Sequence, residues 1–389
     1  MPKRKKYIAL FVLLFTCLNI RAQYTILLKV RDTVLHHLND SLYVAGNFNN
    51  WSPSNIPLKY KAADSTWNIK LSPPGKIAEF KFTRGNWDKV EVTAKGTCIE
   101  NHVIKMLSDT TVIFSVAGWK DDFPPVSKHH TASNQVSVID TAFNIPQLNR
   151  KRRIWIYLPV GYATSKKHYP VLYMHDGQNL FDEFTAGFGE WGLDECLDTL
   201  QKKTKKPCIV VGLDNGTERL TEYNPFDNEK FGIGEGKKYV EFLITTLKPF
   251  IDRKYKTLKD APNTGIAGSS MGGLISYFAA VNYPNIFGYA GIFSPAFWIA
   301  PELKLFTVAQ GNKSGGKFFF YIGGREGQQY EEDMKSVTDK LGENSSAIIY
   351  SIVDPDGSHN EMAWRKWFPE FYSWIMAEWT NYEIKSIIK

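Results

Sequence analysis

The chain has 389 residues, of which 43% are hydrophobic and 22% are charged, and its formal net charge at pH 7 is +7. This length suits two globular domains. Removing the five basic residues of the first 22 positions lowers the formal charge from +7 to +2, and these residues are Lys3, Arg4, Lys5, Lys6 and Arg21. A nearly neutral remainder gives no reason to expect nucleic-acid binding.

Cysteine usage argues against two further classes of protein. Beyond residue 22 the chain retains Cys98, Cys196 and Cys208. Three cysteines without metal-type spacing predict neither a disulfide framework nor a zinc site. No metal or other cofactor is expected.

The first 22 residues have the pattern of a secretory signal peptide. A basic start precedes an apolar stretch from Tyr7 to Ile20, and Ala22 is a small residue at the expected cleavage position. The apolar stretch is too short for a stable membrane span. A lipid anchor would use Cys17, but Thr16 before it fits that pattern poorly. We therefore expect cleavage after Ala22 and a periplasmic or secreted protein.

Residues 23–120 alternate short β-rich runs with turns, which predicts a β-sandwich. A polar stretch with paired prolines, residues 121–135, indicates a linker. Residues 136–389 alternate strand and helix patterns, which predicts a mostly parallel sheet covered by helices.

The first of these regions resembles the starch-binding modules of carbohydrate-binding module family twenty, which have an immunoglobulin-like fold. The matching stretches are residues 44–51, Trp67, residues 79–82 and residues 100–101. The resemblance implies an α-glucan site built from Trp51, Lys81 and Asn101, in which an aromatic face stacks on a sugar ring. The family's second stacking tryptophan is missing from its usual place, and Trp87 on a nearby loop is a candidate substitute. The alternative is a structural sandwich without a sugar site.

Within the third region, the apolar run Pro170 to Met174 predicts a strand covered on both faces. His175 and Asp176 follow it, and we expect them to shape the loop through side-chain hydrogen bonds. Further along, residues 187–192 match the dinucleotide pattern G-x-G-x-x-G. The strand that this pattern requires immediately before it is absent, so a nicotinamide site is not expected.

A nucleophile elbow is predicted at residues 268–272, with sequence GSSMG. An apolar strand precedes Ser270 and a helix follows it, and Gly268 and Gly272 stand two residues to either side, where a side chain would collide with backbone. In α/β-hydrolases the residue after the nucleophile supplies one N–H of the oxyanion hole, and the loop after an earlier strand supplies the other. These groups would be the N–H of Met271 and that of Gln178.

The acid and the base of a catalytic triad should follow the serine in that order. Glu326 lies just past the apolar run 317–324, and His359 is the only histidine after Ser270. Asp354 and Asp356 are alternative acids, although they belong to the loop that carries the histidine.

Residues from about Val136 onward resemble the esterase family that includes feruloyl and acetylxylan esterases, enterochelin esterases, S-formylglutathione hydrolases and mycolyltransferases. The matching stretches are RIWIYLP, PVLYMHDGQNLFD, IVVGLDNG, AGSSMGG, GGREG and DGSHNEMAW. The resemblance implies a C-terminal α/β-hydrolase with the triad Ser270, His359 and Glu326, and a Gln178/Met271 oxyanion hole. It does not choose among sugar, siderophore, thioester and lipid substrates.

Three hypotheses remain open. The first is an exported esterase that acts on acylated carbohydrate through an acyl-enzyme, with a sandwich domain that binds α-glucan. The second is an esterase for a siderophore or another small ester, with a structural sandwich. The third is a noncatalytic glycan-binding protein, which the intact set of triad residues disfavours.

Overall fold

The computed structural model describes residues 24–377 except 35–36, 38, 50, 74–76, 100, 125–127 and 230. The signal peptide expected at residues 1–22 lies outside the described residues, so it stays a prediction, as does export. Within the described part, no helix has both the length and the apolar character needed to cross a bilayer.

The described N-terminal residues form short strands in two main sheets. One sheet has the order β3-β4-β1-β8 and the other the order β2-β5-β7, with β6 and β9 as a separate pair. The strands are β1 (Ile26–Asp32), β2 (Tyr43–Gly46), β3 (Lys59–Lys61), β4 (Thr66–Leu71), β5 (Ile77–Thr83), β6 (Glu91–Val92), β7 (His102–Lys105), β8 (Thr110–Val116) and β9 (Gly118–Trp119).

Side chains from both main sheets share one apolar core. Alternate residues of β1, including Ile26 and Leu28, pack with Phe80 and Phe82 of β5. This period of two is what a strand with one covered face requires. The two-sheet arrangement fits the predicted β-sandwich, whereas its immunoglobulin-like class and its sugar-binding character stay predictions.

The predicted linker packs against the C-terminal part of the chain where it is described. The His130 ring contacts Asp182 at 2.7 Å, the Thr131 hydroxyl donates to Glu190 at 2.8 Å, and the Ser133 amide donates to Asp194 at 2.6 Å. The domain limits proposed from the sequence stay predictions.

The C-terminal part contains a sheet of eight strands among the described residues, in the order β10-β11-β13-β12-β14-β15-β16-β17. Strands β12 to β17 pair in parallel, and β10 and β11 are antiparallel. The predicted mostly parallel sheet is therefore confirmed. The strands are β10 (Val136–Ile145), β11 (Arg150–Tyr157), β12 (Val171–His175), β13 (Ile209–Leu213), β14 (Thr264–Ser269), β15 (Tyr289–Phe293), β16 (Lys317–Gly323) and β17 (Ile348–Asp354).

Helices cover both faces of this sheet. In β12, Val171 and Tyr173 belong to one apolar cluster, whereas Leu172 and Met174 belong to another, so adjacent side chains pack on opposite faces. A π-helical turn at Leu243–Leu247 joins the helices Gly236–Phe242 and Lys248–Lys254. The α-helices are α1 (Leu193–Thr204), α2 (Arg219–Glu222), α3 (Gly236–Phe242), α4 (Lys248–Lys254), α5 (Met271–Asn282), α6 (Leu303–Gln310), α7 (Gln328–Asn344) and α8 (Glu361–Met376).

The described cysteines are all free: Cys98 is exposed, Cys196 is partly buried and Cys208 is buried. Burial raises the thiol pKa of Cys196 and of Cys208 to about 12. The G-x-G-x-x-G stretch at 187–192 lies in a loop before α1, and the nearest preceding strand, β12, ends at His175. The described residues thus lack the strand that a dinucleotide site needs at this point.

Candidate active site

Ser270 stands on a sharp turn between β14 and α5. Its backbone has φ 57° and ψ −120°, a conformation that side-chain-bearing residues rarely adopt. The Ser270 amide donates to the Phe293 carbonyl at 2.9 Å, and the Ser270 carbonyl accepts from the Ala296 amide at 3.0 Å. These two bonds hold the strained residue in place, as an exposed nucleophile on an elbow requires.

Both flanking positions are crowded, but the predicted collision with backbone occurs at Gly268 and not at Gly272. A Cβ at Gly268 would lie 2.9 Å from the Gly272 carbonyl carbon, so a side chain there would collide with backbone. At Gly272 a Cβ would lie 3.2 Å from the His175 Cβ. The same Cβ would lie 3.3 Å from Oδ2 of Asp176, so the elbow is in close contact with the end of β12 and with the segment that follows it.

That segment carries Gln178, on a short 3-10 helix at Gly177–Asn179. Its carbonyl accepts from the Thr185 hydroxyl at 2.7 Å, and its side-chain oxygen accepts from the Asn215 amide at 3.2 Å. Met271 is the first residue of α5, so its N–H has no partner within the helix. Both residues lie at the carboxyl ends of the adjacent strands β12 and β14, as an oxyanion hole would require, and that role stays a prediction.

Asp176 and Arg219 connect this loop to the elbow. Arg219 donates to both carboxylate oxygens of Asp176, at 2.7 and 2.8 Å, and its Nη2 lies 3.4 Å from the Ser269 carbonyl. Burial disfavours a charged Asp176, but the guanidinium holds the pKa of that carboxyl below its usual value. Asp176 itself has a left-handed backbone, with φ 58°. Arg219 follows the stretch IVVGLDNG, and its sequence pattern alone indicates no role for it.

His175 is buried and donates or accepts one hydrogen bond, between its Nδ1 and the Tyr239 hydroxyl at 3.0 Å. Burial lowers the pKa of His175 to about 4. The ring is therefore neutral at physiological pH and is enclosed by aromatic side chains, including Tyr223. Its hydrogen bond and those of Asp176 agree with the loop-shaping role expected for both.

Glu326 is buried just beyond the end of β16. Its Oε1 accepts from the Gly323 amide at 2.8 Å and from the Ser294 hydroxyl at 2.5 Å. Ser294 in turn accepts from the Trp364 indole N–H at 2.8 Å. The other oxygen, Oε2, lies 2.7 Å from Nδ1 of His359. The structure thus brings the predicted acid and the predicted base into direct contact.

The alternative acids have other partners. Asp354 accepts from Lys366 and from the Trp367 indole N–H, at 2.7 and 2.8 Å. Asp356 is exposed and pairs with Arg325 at 3.1 Å. Geometry therefore favours Glu326 over either aspartate as the residue that orients His359.

His359 lies in the loop between β17 and α8, with its side chain about one-third exposed and its ring edge-on to Trp364. Burial disfavours its charged form, but the adjacent Glu326 carboxylate outweighs this effect and raises the pKa of His359 above its usual 6.5. With the Nδ1 proton bound to Glu326, Nε2 carries the lone pair that can accept a proton.

Glu361, the first residue of α8, is a buried carboxyl near His359 that no sequence pattern had indicated as part of the site. It accepts from the Asn179 side chain at 3.2 Å, so it joins the histidine-bearing segment to the loop of Gln178. Burial raises the pKa of Glu361 to about 7. Among its neighbours, His359 and Arg219 favour its charged form and Asp176 opposes it.

The four predicted sugar-binding residues lie in the N-terminal part of the chain, Lys81 on β5 and the other three on segments between strands. The Trp51 and Trp87 rings come within 6.4 Å of each other, centroid to centroid, so the two aromatics do lie together. Lys81 donates to the Ile99 carbonyl at 2.7 Å, and the Asn101 amide donates to Glu79 at 2.7 Å. The Lys81 ammonium and the Asn101 amide therefore already have hydrogen-bond partners within the chain. The α-glucan site stays a prediction.

One group in the described residues has the composition of a metal site: His37, Asp121 and Asp122. Arg84 donates to Asp121 and contacts the His37 ring, so a guanidinium already balances these carboxylates. This cluster belongs to the N-terminal part and includes none of the residues around Ser270.

Two curated bacterial proteins and one solved structure illustrate what the chain is similar to. It is 26% identical over 197 residues to the uncharacterized protein YbbA of Bacillus subtilis, covering 49% of this chain and 74% of that protein. It is 32% identical over 157 residues to an endo-1,4-beta-xylanase/feruloyl esterase of Xylanibacter ruminicola, covering 38% of this chain but only 20% of that protein.

Among solved structures, the enterochelin esterase of Shigella flexneri matches with a TM-score of 0.53 and 15% identity, over 86% of this chain and 87% of that one. This coverage exceeds what residues 136–389 can supply, so the similarity of fold extends into the N-terminal sheets. The family model described as "Putative esterase" matches residues 145–372, which is more than half of the chain. The protein is a serine esterase, and its chain belongs to that family.

Proposed function

We propose that Ser270 is the nucleophile of this esterase, His359 its general base and Glu326 the acid that orients the histidine. The observation that carries the proposal is the 2.7 Å contact between Glu326 Oε2 and His359 Nδ1. Ser270 stands on a strained elbow after β14, at the same end of the same sheet. All three residues follow the carboxyl ends of parallel strands, where ligands of open α/β sheets bind.

The reaction follows from these positions. Nε2 of His359 takes the hydroxyl proton as Ser270 Oγ attacks the ester carbonyl, and Glu326 stabilises the imidazolium that forms. The tetrahedral oxyanion accepts hydrogen bonds from the Met271 and Gln178 amides and lies at the positive end of α5. His359 then gives the proton to the departing alcohol, which leaves an acyl-serine. Water, activated by the same histidine, releases the acid and restores Ser270.

We further propose that the substrate is an acylated carbohydrate and that the protein acts in the periplasm or outside the cell. The supports are the signal-peptide pattern, the resemblance of the N-terminal region to starch-binding modules, and the relative whose name includes feruloyl esterase. A siderophore ester is the second candidate, because the fold shared with the enterochelin esterase includes the N-terminal sheets as well.

A substrate screen tests both levels of this proposal. The full chain without residues 1–22 is assayed on short-chain aryl esters, then on acetylated and feruloylated oligosaccharides and on a catecholate siderophore ester. We expect kcat/KM to be highest on one of the sugar esters. A higher value on the siderophore ester would replace the substrate assignment, and a folded protein that hydrolyses no ester would refute the triad assignment as well.

A further inference from the structure

Glu79 is buried in a place where a strand normally exposes a charge. In β5, Phe80 and Phe82 point into the core between the N-terminal sheets, so Glu79 and Lys81 occupy the opposite face. Lys81 is partly exposed, whereas Glu79 has no exposed surface. A carboxyl on the outer face of a sheet becomes inaccessible only when another part of the molecule covers it. Here Asn101 of the N-terminal part and Ser358 of the esterase part both contact the carboxyl.

The Glu79 carboxyl faces the loop that carries His359. Its Oε1 accepts from the Asn101 amide at 2.7 Å, and a looser polar contact joins the carboxyl to Ser358. Oε2 forms no hydrogen bond of ordinary geometry with any described residue. Burial raises the pKa of Glu79, while the carboxylate of Glu326 and the ring of His359 are close enough to act on it electrostatically.

Asn47 makes the matching contact with the acid loop. Its side-chain amide donates to the Glu326 carbonyl at 3.4 Å, and its own carbonyl accepts from the Tyr330 hydroxyl at 3.3 Å. Asn47 and Glu79 are also fixed to each other. The Asn47 amide donates to the Glu79 carbonyl at 2.9 Å, and the Glu79 amide donates to the Asn47 side chain at 3.3 Å. One rigid pair on the N-terminal sheet thus contacts the acid loop and the histidine loop at once.

We propose that Glu79 is a positioning residue for His359, and that with Asn47 it fixes the acid loop and the histidine loop relative to each other. The inference rests on the proposed roles of His359 and Glu326. Under this proposal the N-terminal sheets help to position the catalytic histidine, in addition to any role in binding a glycan. Residues that position a catalytic group matter for catalysis because a small displacement of that group lowers the reaction rate steeply.

The same contacts give Asn101 a role other than sugar binding. Its amide donates the one side-chain hydrogen bond of ordinary geometry to this buried carboxylate among the described residues, and a buried carboxylate is costly without such donors. The Glu79 hypothesis therefore predicts that Asn101→Ala lowers kcat on a small aryl ester, whereas a purely sugar-binding Asn101 would leave that kcat unchanged.

The test compares full-length variants Glu79→Ala, Glu79→Gln and Glu91→Gln on p-nitrophenyl acetate. Glu91 is the matched control, because it is also a buried carboxyl of the N-terminal sheets but binds the Phe82 amide and the His102 ring. For Glu79→Ala we expect kcat per titrated active site to fall about tenfold, with KM changed by less than about twofold. Glu79→Gln, which keeps an acceptor for Asn101, should recover much of the loss. Glu91→Gln should lower the unfolding temperature without changing kcat.

Amide hydrogen exchange supplies a measurement that needs no turnover. Glu79→Ala should speed exchange in residues 354–360, whereas Glu91→Gln should not. An unchanged kcat in Glu79→Ala, or an equal loss in Glu91→Gln, would overturn the proposal. If the wild-type protein hydrolyses no ester, the proposed triad fails, and exchange alone then decides about Glu79. Unchanged exchange in the histidine loop would refute the positioning role.

Discussion

At the scale of single residues, the site depends on how each carboxyl is paired. Glu326 is fully engaged, with one oxygen on Gly323 and Ser294 and the other on His359. Asp354 is equally well bonded, but to Lys366 and Trp367. Carboxylates of similar sequence context therefore differ in their hydrogen-bond partners, and only that of Glu326 contacts the proposed base.

Ser270→Ala should reduce ester turnover by about 10⁴-fold or more while leaving the fold intact, because the covalent route needs the hydroxyl and the smaller side chain adds no clash. The measurement is kcat on an aryl ester, with circular dichroism as the check on folding. Ser269→Ala is the neighbouring control and should retain most activity. The opposite pattern would mean that Ser269 is the nucleophile.

Glu326→Gln should lower kcat by about 10³- to 10⁴-fold, because an amide cannot stabilise the imidazolium and favours the wrong tautomer of His359. Asp354→Asn is the matched control, since it removes a bonded carboxylate from the histidine's own loop, and its kcat should fall less than about tenfold. Steady-state kinetics at one pH suffices for the comparison. A larger loss in Asp354→Asn would transfer the acid role to that residue.

The pH profile should show the effect of the carboxyls near His359. The histidine acts as a base only when neutral, so activity should rise as pH increases through its pKa, and the raised pKa places this rise above pH 6.5. Glu361, whose pKa is about 7, titrates in the same range and broadens the rise. Glu361→Gln removes one of the charges that stabilise the imidazolium, so it should move the rise in kcat/KM to lower pH.

The control for this shift is Glu343→Gln at the exposed end of α7, which removes the same charge from a pair with Lys340. It should leave the profile in place. A profile that does not move in Glu361→Gln would show that this carboxyl does not act on the base.

At the scale of elements, the site is assembled where loops from different strands meet. The segment after β12 contacts the elbow after β14 through Gly272 and through the Asp176–Arg219 pair. Arg219 is the first residue of α2, so a third element fixes the distance between the other two. This arrangement makes the pair important for geometry even though neither side chain is assigned a chemical step.

Asp176→Asn should both destabilise the protein and impair catalysis. Removing one charge of a largely buried pair leaves Arg219 without compensation, which costs about 3 kcal/mol of unfolding free energy. The loop of Gln178 would also lose its main anchor, so kcat should fall more than KM changes. Denaturant unfolding and steady-state kinetics measure the two effects.

Asp214→Asn is the comparison for this pair. Asp214 binds Arg153 and the Trp155 indole N–H beside the same edge of the sheet, at 2.8 and 2.7 Å. The Asp214→Asn variant should have a lower free energy of unfolding, while its kcat should change little. Equal catalytic losses in the two variants would mean that the Asp176 pair acts only through overall stability.

At the scale of the whole molecule, the two parts of the chain are joined by polar contacts around the proposed triad. Asn47 and Glu79 contact the acid and histidine loops, while the described linker residues His130 and Ser133 bind to aspartates of the esterase part. These contacts also connect the N-terminal part that carries Trp51 and Trp87 to the esterase part.

If Trp51 and Trp87 form a sugar platform, Trp51→Ala in the full chain should abolish retention on soluble starch and leave turnover of a small aryl ester unchanged. Stacking adds only about 0.5 to 1.5 kcal/mol beyond buried area. The wild-type affinity for maltooligosaccharides should therefore be millimolar, or about −4 kcal/mol. Titration calorimetry measures it. Trp67→Ala, which alters a tryptophan packed against Tyr60 instead, is the control.

The sequence predicted the parts of the fold that follow from local pattern. The apolar runs predicted the parallel strands, and the spacing of Gly268, Ser270 and Gly272 predicted the elbow, because the close approach of Gly268 to the Gly272 backbone is a local constraint. Arg219, Glu361 and Glu79 could not be assigned in this way. Each contacts a partner that is distant in the chain. The local sequence around a charged residue in a strand or short helix is the same whether solvent or another part of the molecule covers that residue.

The distribution of cysteines has a practical consequence. Of the described thiols, Cys98 alone is exposed, while burial raises the pKa of the other two to about 12 and keeps them protonated. A maleimide dye should therefore attach to Cys98 without mutagenesis. This residue precedes Ile99, whose carbonyl binds Lys81, so the fluorophore would stand beside the predicted glucan contacts. The native chain thus provides a labelling site with which the predicted glucan binding can be tested by fluorescence, including during ester turnover.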